Sequence, residues 1–135
     1  MRNSGIIALL GAVFAVGPAY AQVQQVTPNY KVVEHGRSIK VDSFGTYNPD
    51  CSVIGRATVS VTAPPQGGTV ETSDGRAFPT FLSGNIRFQC DKRNLPATLL
   101  YYRAAPSFTG TDTFTIEVVF GSGEARQLRY TVNVR

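Results

Sequence analysis

The residues in this chain that could do chemistry are few, and their spacing limits what that chemistry could be. There is one histidine, His35, set in Glu34-His35-Gly36-Arg37, and two cysteines, Cys51 and Cys90. Every Ser-His-Asp or Cys-His arrangement would have to pass through His35, which reads as a solvated turn residue. A lone imidazole without neighbouring Cys or His at ligand spacing is also a poor metal site. The chain has no G-x-S-x-G elbow, no H-E-x-x-H and no glycine-rich phosphate loop opening a helix. Asp112, between Thr111 and Thr113, could ligate a metal or act as a base. Its place at a strand entrance points instead to a structural turn, in which its carboxylate accepts backbone N–H bonds and fixes the preceding turn. These residues imply no catalytic group, no cofactor and no bound metal.

The candidates for contact rather than catalysis are cations and tyrosines. In the turn Asp91-Lys92-Arg93-Asn94, Lys92 and Arg93 form the longest run of positive charge. Cys90 would pin the base of that turn, so that two cations are displayed on a root that cannot drift. Tyr101 and Tyr102 have opposite parity, so one ring packs in a core while the other is presented beside Arg103. Lys92, Arg93, Tyr101, Tyr102 and Arg103 therefore form a possible contact surface for an anionic envelope component or an acidic protein face.

These residues are positioned by strands. Phe114, Ile116, Val118 and Phe120 alternate with Thr113, Thr115 and Glu117, and the period of two restarts in Leu128, Tyr130, Val132 and Val134 after Gly121-Ser122-Gly123. That pattern describes a hairpin with one buried and one wet face. Further strand-like segments fall at 30–34, 38–42, 53–62, 69–72, 86–90 and 98–103, with no helix competing. Turn clusters separate them: Pro64-Pro65-Gln66-Gly67-Gly68, Ser73-Asp74-Gly75, Ser83-Gly84-Asn85 and Pro106-Ser107. The fold predicted is all-β, an antiparallel immunoglobulin-like β-sandwich of about seven to eight strands with one disulfide.

The start of the chain reads as an address. Arg2, the apolar run 6–16 and the small-x-small site Ala19-Tyr20-Ala21 make residues 1–21 a signal peptide cleaved before Gln22. A short segment, 22–28, then leads to one sandwich domain, 29–135. The apolar run is too short to span a bilayer and no second one follows, so no membrane span is expected. No cysteine ends the run to accept a lipid. Removing 21 of 135 residues leaves 114, and the loss of Arg2 leaves twelve Lys and Arg against nine acids, a net charge of +3. The positive charges are scattered, which with export argues against nucleic acid as a partner. Two cysteines in an exported chain favour a Cys51–Cys90 disulfide over a redox pair. Both thiols fall on apolar faces if 51–61 and 86–90 are strands.

Three blocks in order, YKVVEHGRSIKVD, VSVTAPPQGGTVE and LYYRAAPSFTGTDTFTIEVVF with a closing TVNV, resemble the bacterial immunoglobulin-like, cadherin-like domains of surface and secreted proteins. The resemblance covers residues 29–134 and implies a non-enzymatic spacer or adhesion module. Members often carry an Asp/Asn-rich loop that serves Ca²⁺. Here the corresponding segment, 43–51, holds the single carboxylate of Asp50, far short of the six to eight oxygens Ca²⁺ takes. The module also stands as a single copy rather than a tandem array. The functional expectation is an exported, non-catalytic binding or adhesion-type module in the periplasm or outside the cell, with an envelope protein or glycan as partner. The alternative is a structural accessory protein of the envelope that pairs through a sheet edge, and a small periplasmic enzyme ranks third.

Overall fold

The computed structural model describes residues 11–17, 24–25 and 31–135. The cleavage site and most of the signal-peptide reading lie outside the described residues; the part of the apolar run that is described, 11–17, is exposed and carries no regular structure.

The described residues form eight strands: β1 Gln24–Gln25, β2 Lys31–Val33, β3 Ser38–Phe44, β4 Thr58–Ala63, β5 Gly68–Ala77, β6 Leu95–Ala104, β7 Gly110–Val119 and β8 Ala125–Val134, with a 3₁₀ turn at Phe88–Lys92. The hairpin expected from the period of two is β7–β8, antiparallel from Gly110↔Val134 to Val119↔Ala125. It is the centre of a five-stranded sheet in which β4 lies against β7, while β1 and β2 both run parallel to the outer edge of β8. The other sheet has the order β3-β6-β5, antiparallel throughout. Two sheets of this order are an immunoglobulin-like sandwich, with β3, β6 and β5 in one layer and β4, β7 and β8, edged by β1 and β2, in the other.

The alternating faces meet in one core. Leu100 and Tyr102 from β6, Phe114, Ile116 and Val118 from β7 and Val132 from β8 are each at most 1% exposed. Burial of each such side chain contributes roughly 1.5–3 kcal/mol against the entropy of ordering the chain. Three rings line up through this core: Tyr102 stacks on Phe114 at 6.0 Å and Phe114 on Tyr130 at 5.2 Å. Both outer rings carry hydroxyls that must find partners. Tyr102 donates to Asp112 Oδ2 at 2.7 Å and Tyr130 donates to Asp42 Oδ2 at 2.7 Å, and each bond joins one sheet to the other. Burial, the Asp112 hydrogen bond and its negative charge push the Tyr102 phenol far above its usual range. Burial and the charge of Asp42 do the same to Tyr130.

Several sequence expectations shift. Ser73-Asp74-Gly75 is no turn but the middle of β5, where the missing Cβ of Gly75 makes room for Leu99 on β6. The strand expected over 53–62 begins only at Thr58. The segment 86–90 is not a strand: Asn85 Oδ1 accepts from Arg87 N at 2.8 Å, which turns the backbone into the 3₁₀ helix. Alternating Ile86 and Phe88 mimic a buried strand face, yet both are exposed. Neither cysteine therefore lies on a strand, although the bond between them forms, with Cα atoms 5.5 Å apart. Cys51 sits in a turn at φ +69°, a left-handed conformation rare for a residue with a Cβ.

Candidate functional site

The strand order sends the connections of the sandwich to two very different ends. At one end the links are short: 34–37, 64–67 and 105–109. At the other, β3 leads to β4 through 45–57, β5 to β6 through 78–94, and β7 to β8 through the tight hairpin 120–124. Two long loops on one end of a rigid sandwich are where such scaffolds place recognition.

These loops are held in place. Under them lies a small core of Tyr47, Cys51, Cys90 and Leu95 with Phe81 packed against it, separate from the main one. The disulfide crosses from loop 45–57 to loop 78–94. Around it, three side chains of the second loop donate to carbonyls of the first: Arg87 Nε to Tyr47 O at 2.6 Å, Gln89 Nε2 to Pro49 O at 2.6 Å and Arg93 Nη1 to Asp50 O at 3.2 Å. The Phe81 N–H donates to both oxygens of Asp91, at 3.0 and 2.9 Å. Tyr47 donates its hydroxyl to Pro96 O at 2.9 Å, and burial raises its phenol, partly opposed by the charge of Arg76. At the tip of the first loop, Asp50 accepts from the hydroxyl and backbone N–H of Ser52, which lowers its carboxyl below the usual range.

On this fixed frame the second loop presents apolar side chains to water. Leu82 is 86% exposed, Ile86 68%, Phe78 59% and Phe88 44%, with Val53 of the first loop at 41%. Large apolar residues exposed singly need no explanation, but a group gathered on one loop pair does. Beside them run two grooves. One of about 400 Å³ lies between Phe78 and Phe81 on one wall and Phe120, Arg126 and Leu128 on the other. The second, of about 380 Å³, continues past Arg87, Ser122 and Glu124. A third cleft of about 240 Å³, lined by Phe44, Val53, Ala57 and Pro96, has the Arg56–Asp74 ion pair among its lining residues.

The residues singled out in the sequence are divided by this geometry. Lys92 and Arg93 belong to the loop end and are exposed there. Tyr101 and Arg103 lie on the outer face of the β3-β6-β5 sheet, where Tyr101 pairs with Lys40 and Glu71, and Arg103 with Ser38 and Thr69. Eight strand steps separate Leu95 from Arg103, about 27 Å at the usual rise, so Arg103 joins no surface with Lys92 and Arg93. Tyr102 must be removed from the contact surface altogether: it is the core ring of the pair, 0% exposed, with its hydroxyl taken by Asp112.

Asp112 is structural, but the turn it fixes is not the one before it. Its carboxylate accepts from Gln66 N at 3.0 Å, Gly67 N at 2.9 Å and Thr113 N at 3.0 Å as well as from Tyr102. It thus anchors turn 64–67, at the short-loop end. His35 is exposed at that same end, its Nδ1 2.9 Å from Pro106 O, and so is remote from the grooves. Among the described residues no three His, Cys, Asp or Glu side chains gather to hold a metal ion.

Sequence reasoning missed Leu82, Ile86, Phe88 and Arg87 as site residues. The available signal was a stretch rich in Phe, Leu and Ile around Ser83-Gly84-Asn85, whose alternation at Ile86 and Phe88 reads as a strand instead. Comparison with known proteins finds no protein family, no curated protein and no solved structure that matches the chain.

Proposed function

We propose that this protein is an exported, non-catalytic binding module of adhesion type, acting in the periplasm or outside the cell, with the long-loop end as its contact surface. One observation carries the reading: a disulfide and three side-chain-to-carbonyl bonds hold apolar side chains in water at that end. Folding alone is not served by holding Leu82 and Ile86 exposed, whereas association is, because a loop already ordered loses little entropy on binding. The resemblance to bacterial cadherin-like domains supports the same class. A disulfide fits an oxidising compartment, and export itself is tested by an intact mass beginning at Gln22.

The surface is tested by placing a photo-crosslinking residue at Ile86 and, as a control, at Ser107 on the short-loop end. Adducts in the native cell envelope form from position 86 and not from 107. Equal labelling at the two, or none at 86, removes the reading. One observation favours assembly through a sheet edge as a second reading: among the described residues the outer edge of β5, Gly68–Ala77, has no strand partner. A monodisperse monomer in solution argues against it.

A further inference from the structure

We infer that the loop end docks on an anionic lipid bilayer surface. The inference rests on the binding-module reading and names the partner. The first argument is shape. Leu82 at 86% and Ile86 at 68% exposure are projections rather than the lining of a hollow. A protein partner would need a pocket complementary to each projection, while the headgroup and upper acyl region of a bilayer is fluid and accepts them as they stand. Loop 78–94 is fixed by the disulfide, by Arg87, Gln89 and Arg93, and by the Asp91 bond to Phe81. The projections therefore remain displayed in the absence of a partner.

The second argument is charge. The same loop carries Arg87, Lys92 and Arg93 against one acid, Asp91, whose carboxylate is turned onto the Phe81 N–H. Asp74 and Glu124 nearby are paired with Arg56 and Arg126, while Asp50 is bonded to Ser52 and its charge faces Arg93, so the loop end keeps a modest excess of positive charge. Among the described residues no salt bridge neutralises Lys92 or Arg93. Apolar tips flanked by cations match a surface of acyl chains beneath phosphates, and each cation near such a surface strengthens binding roughly fivefold at moderate salt.

The test is co-sedimentation of the mature, oxidised protein with vesicles of phosphatidylcholine containing a minority of phosphatidylglycerol, and with phosphatidylcholine alone. The wild type sediments with the anionic vesicles and less with the neutral ones, and raised salt weakens it. A Leu82→Ser, Ile86→Ser variant loses at least tenfold in partitioning. A Lys92→Ser, Arg93→Ser variant loses on the order of twentyfold on anionic vesicles and keeps its residual binding to neutral ones. Arg103→Ser, which removes the same charge from the sheet face, changes binding fivefold less than the loop pair or not at all. All five positions are solvent-facing, so melting temperatures hold, apart from a small drop in the Lys92→Ser, Arg93→Ser variant, which loses the Arg93 bond to Asp50 O. Equal partitioning of wild type and the Leu82→Ser, Ile86→Ser variant overturns the inference. So does an absence of vesicle binding; if the crosslinker at Ile86 then captures protein, the partner is a protein and the binding-module reading stands without the lipid.

Discussion

Replacing Asp112 by Ala tests how the two sheets are joined. In the native state its carboxylate takes four donors: the Gln66, Gly67 and Thr113 amides and the Tyr102 hydroxyl, at 3.0, 2.9, 3.0 and 2.7 Å. Two of these donors, Gly67 N–H and Tyr102 O–H, belong to buried residues and have no route to bulk water without local opening. A buried donor left without an acceptor costs about 1–3 kcal/mol, more where the lost acceptor was charged. The two together give about 3–5 kcal/mol, a large share of the stability of a domain this size. Urea unfolding followed by tyrosine fluorescence measures the loss as a lower midpoint at constant slope. Tyr102→Phe removes one donor and keeps the ring on Phe114, so it costs less, about 1–2 kcal/mol. Because both changes break the same bond, the double variant falls short of the sum by about 1.5–3 kcal/mol. An Asp112→Ala protein within about 1 kcal/mol of wild type, or strict additivity with Tyr102→Phe, would refute the claim that this carboxylate ties turn 64–67 and β6 to β7.

Replacing Cys51 and Cys90 together by Ala lowers stability by about 4 kcal/mol in the chain-entropy account of a 39-residue separation, read from the melting transition, and leaves the far-ultraviolet spectrum of the sandwich unchanged. Titration of the phenols by their ultraviolet absorbance shows Tyr47, Tyr102 and Tyr130 ionising above the ordinary tyrosine value of about 10, because burial disfavours their phenolates. Since these folded-state values are raised, the stability they confer is fully present below about pH 10, the ordinary value, and is lost as pH climbs above it. Tyr102→Phe and Tyr130→Phe each flatten that alkaline loss, and an unchanged pH profile in both would exclude the explanation. Millimolar Ca²⁺ leaves the melting temperature unchanged, since a ligand that bound the native state would raise it; a rise of several degrees would point to Asp50, Asp74 and Asp112 as the first ligands to replace.

What the sequence by itself determined was whatever depends on local period and covalent chemistry. The β7–β8 hairpin was legible because Phe114, Ile116 and Val118 face inward by strict alternation, and a period of two admits no other regular structure. The same parity made one of Tyr101 and Tyr102 a core ring, and two cysteines in a chain with an export-like start could be paired without knowing where either sat. What only the tertiary structure decided was every question of which distant residues share a neighbourhood. Ile86 and Phe88 alternate like a strand, yet the Asn85 side chain turns the backbone there into a 3₁₀ helix, and β6 just beyond it is already flanked by β3 and β5. Asp112 and turn 64–67, far apart in sequence, meet because β4 and β5 cross from one sheet to the other there. Lys92 and Arg103 look close along the chain but are separated by nearly the full length of β6. Strand periodicity fixes the face a side chain takes; only the order of strands in the two sheets fixes the end of the sandwich it reaches, and the loop-end surface exists through that order alone.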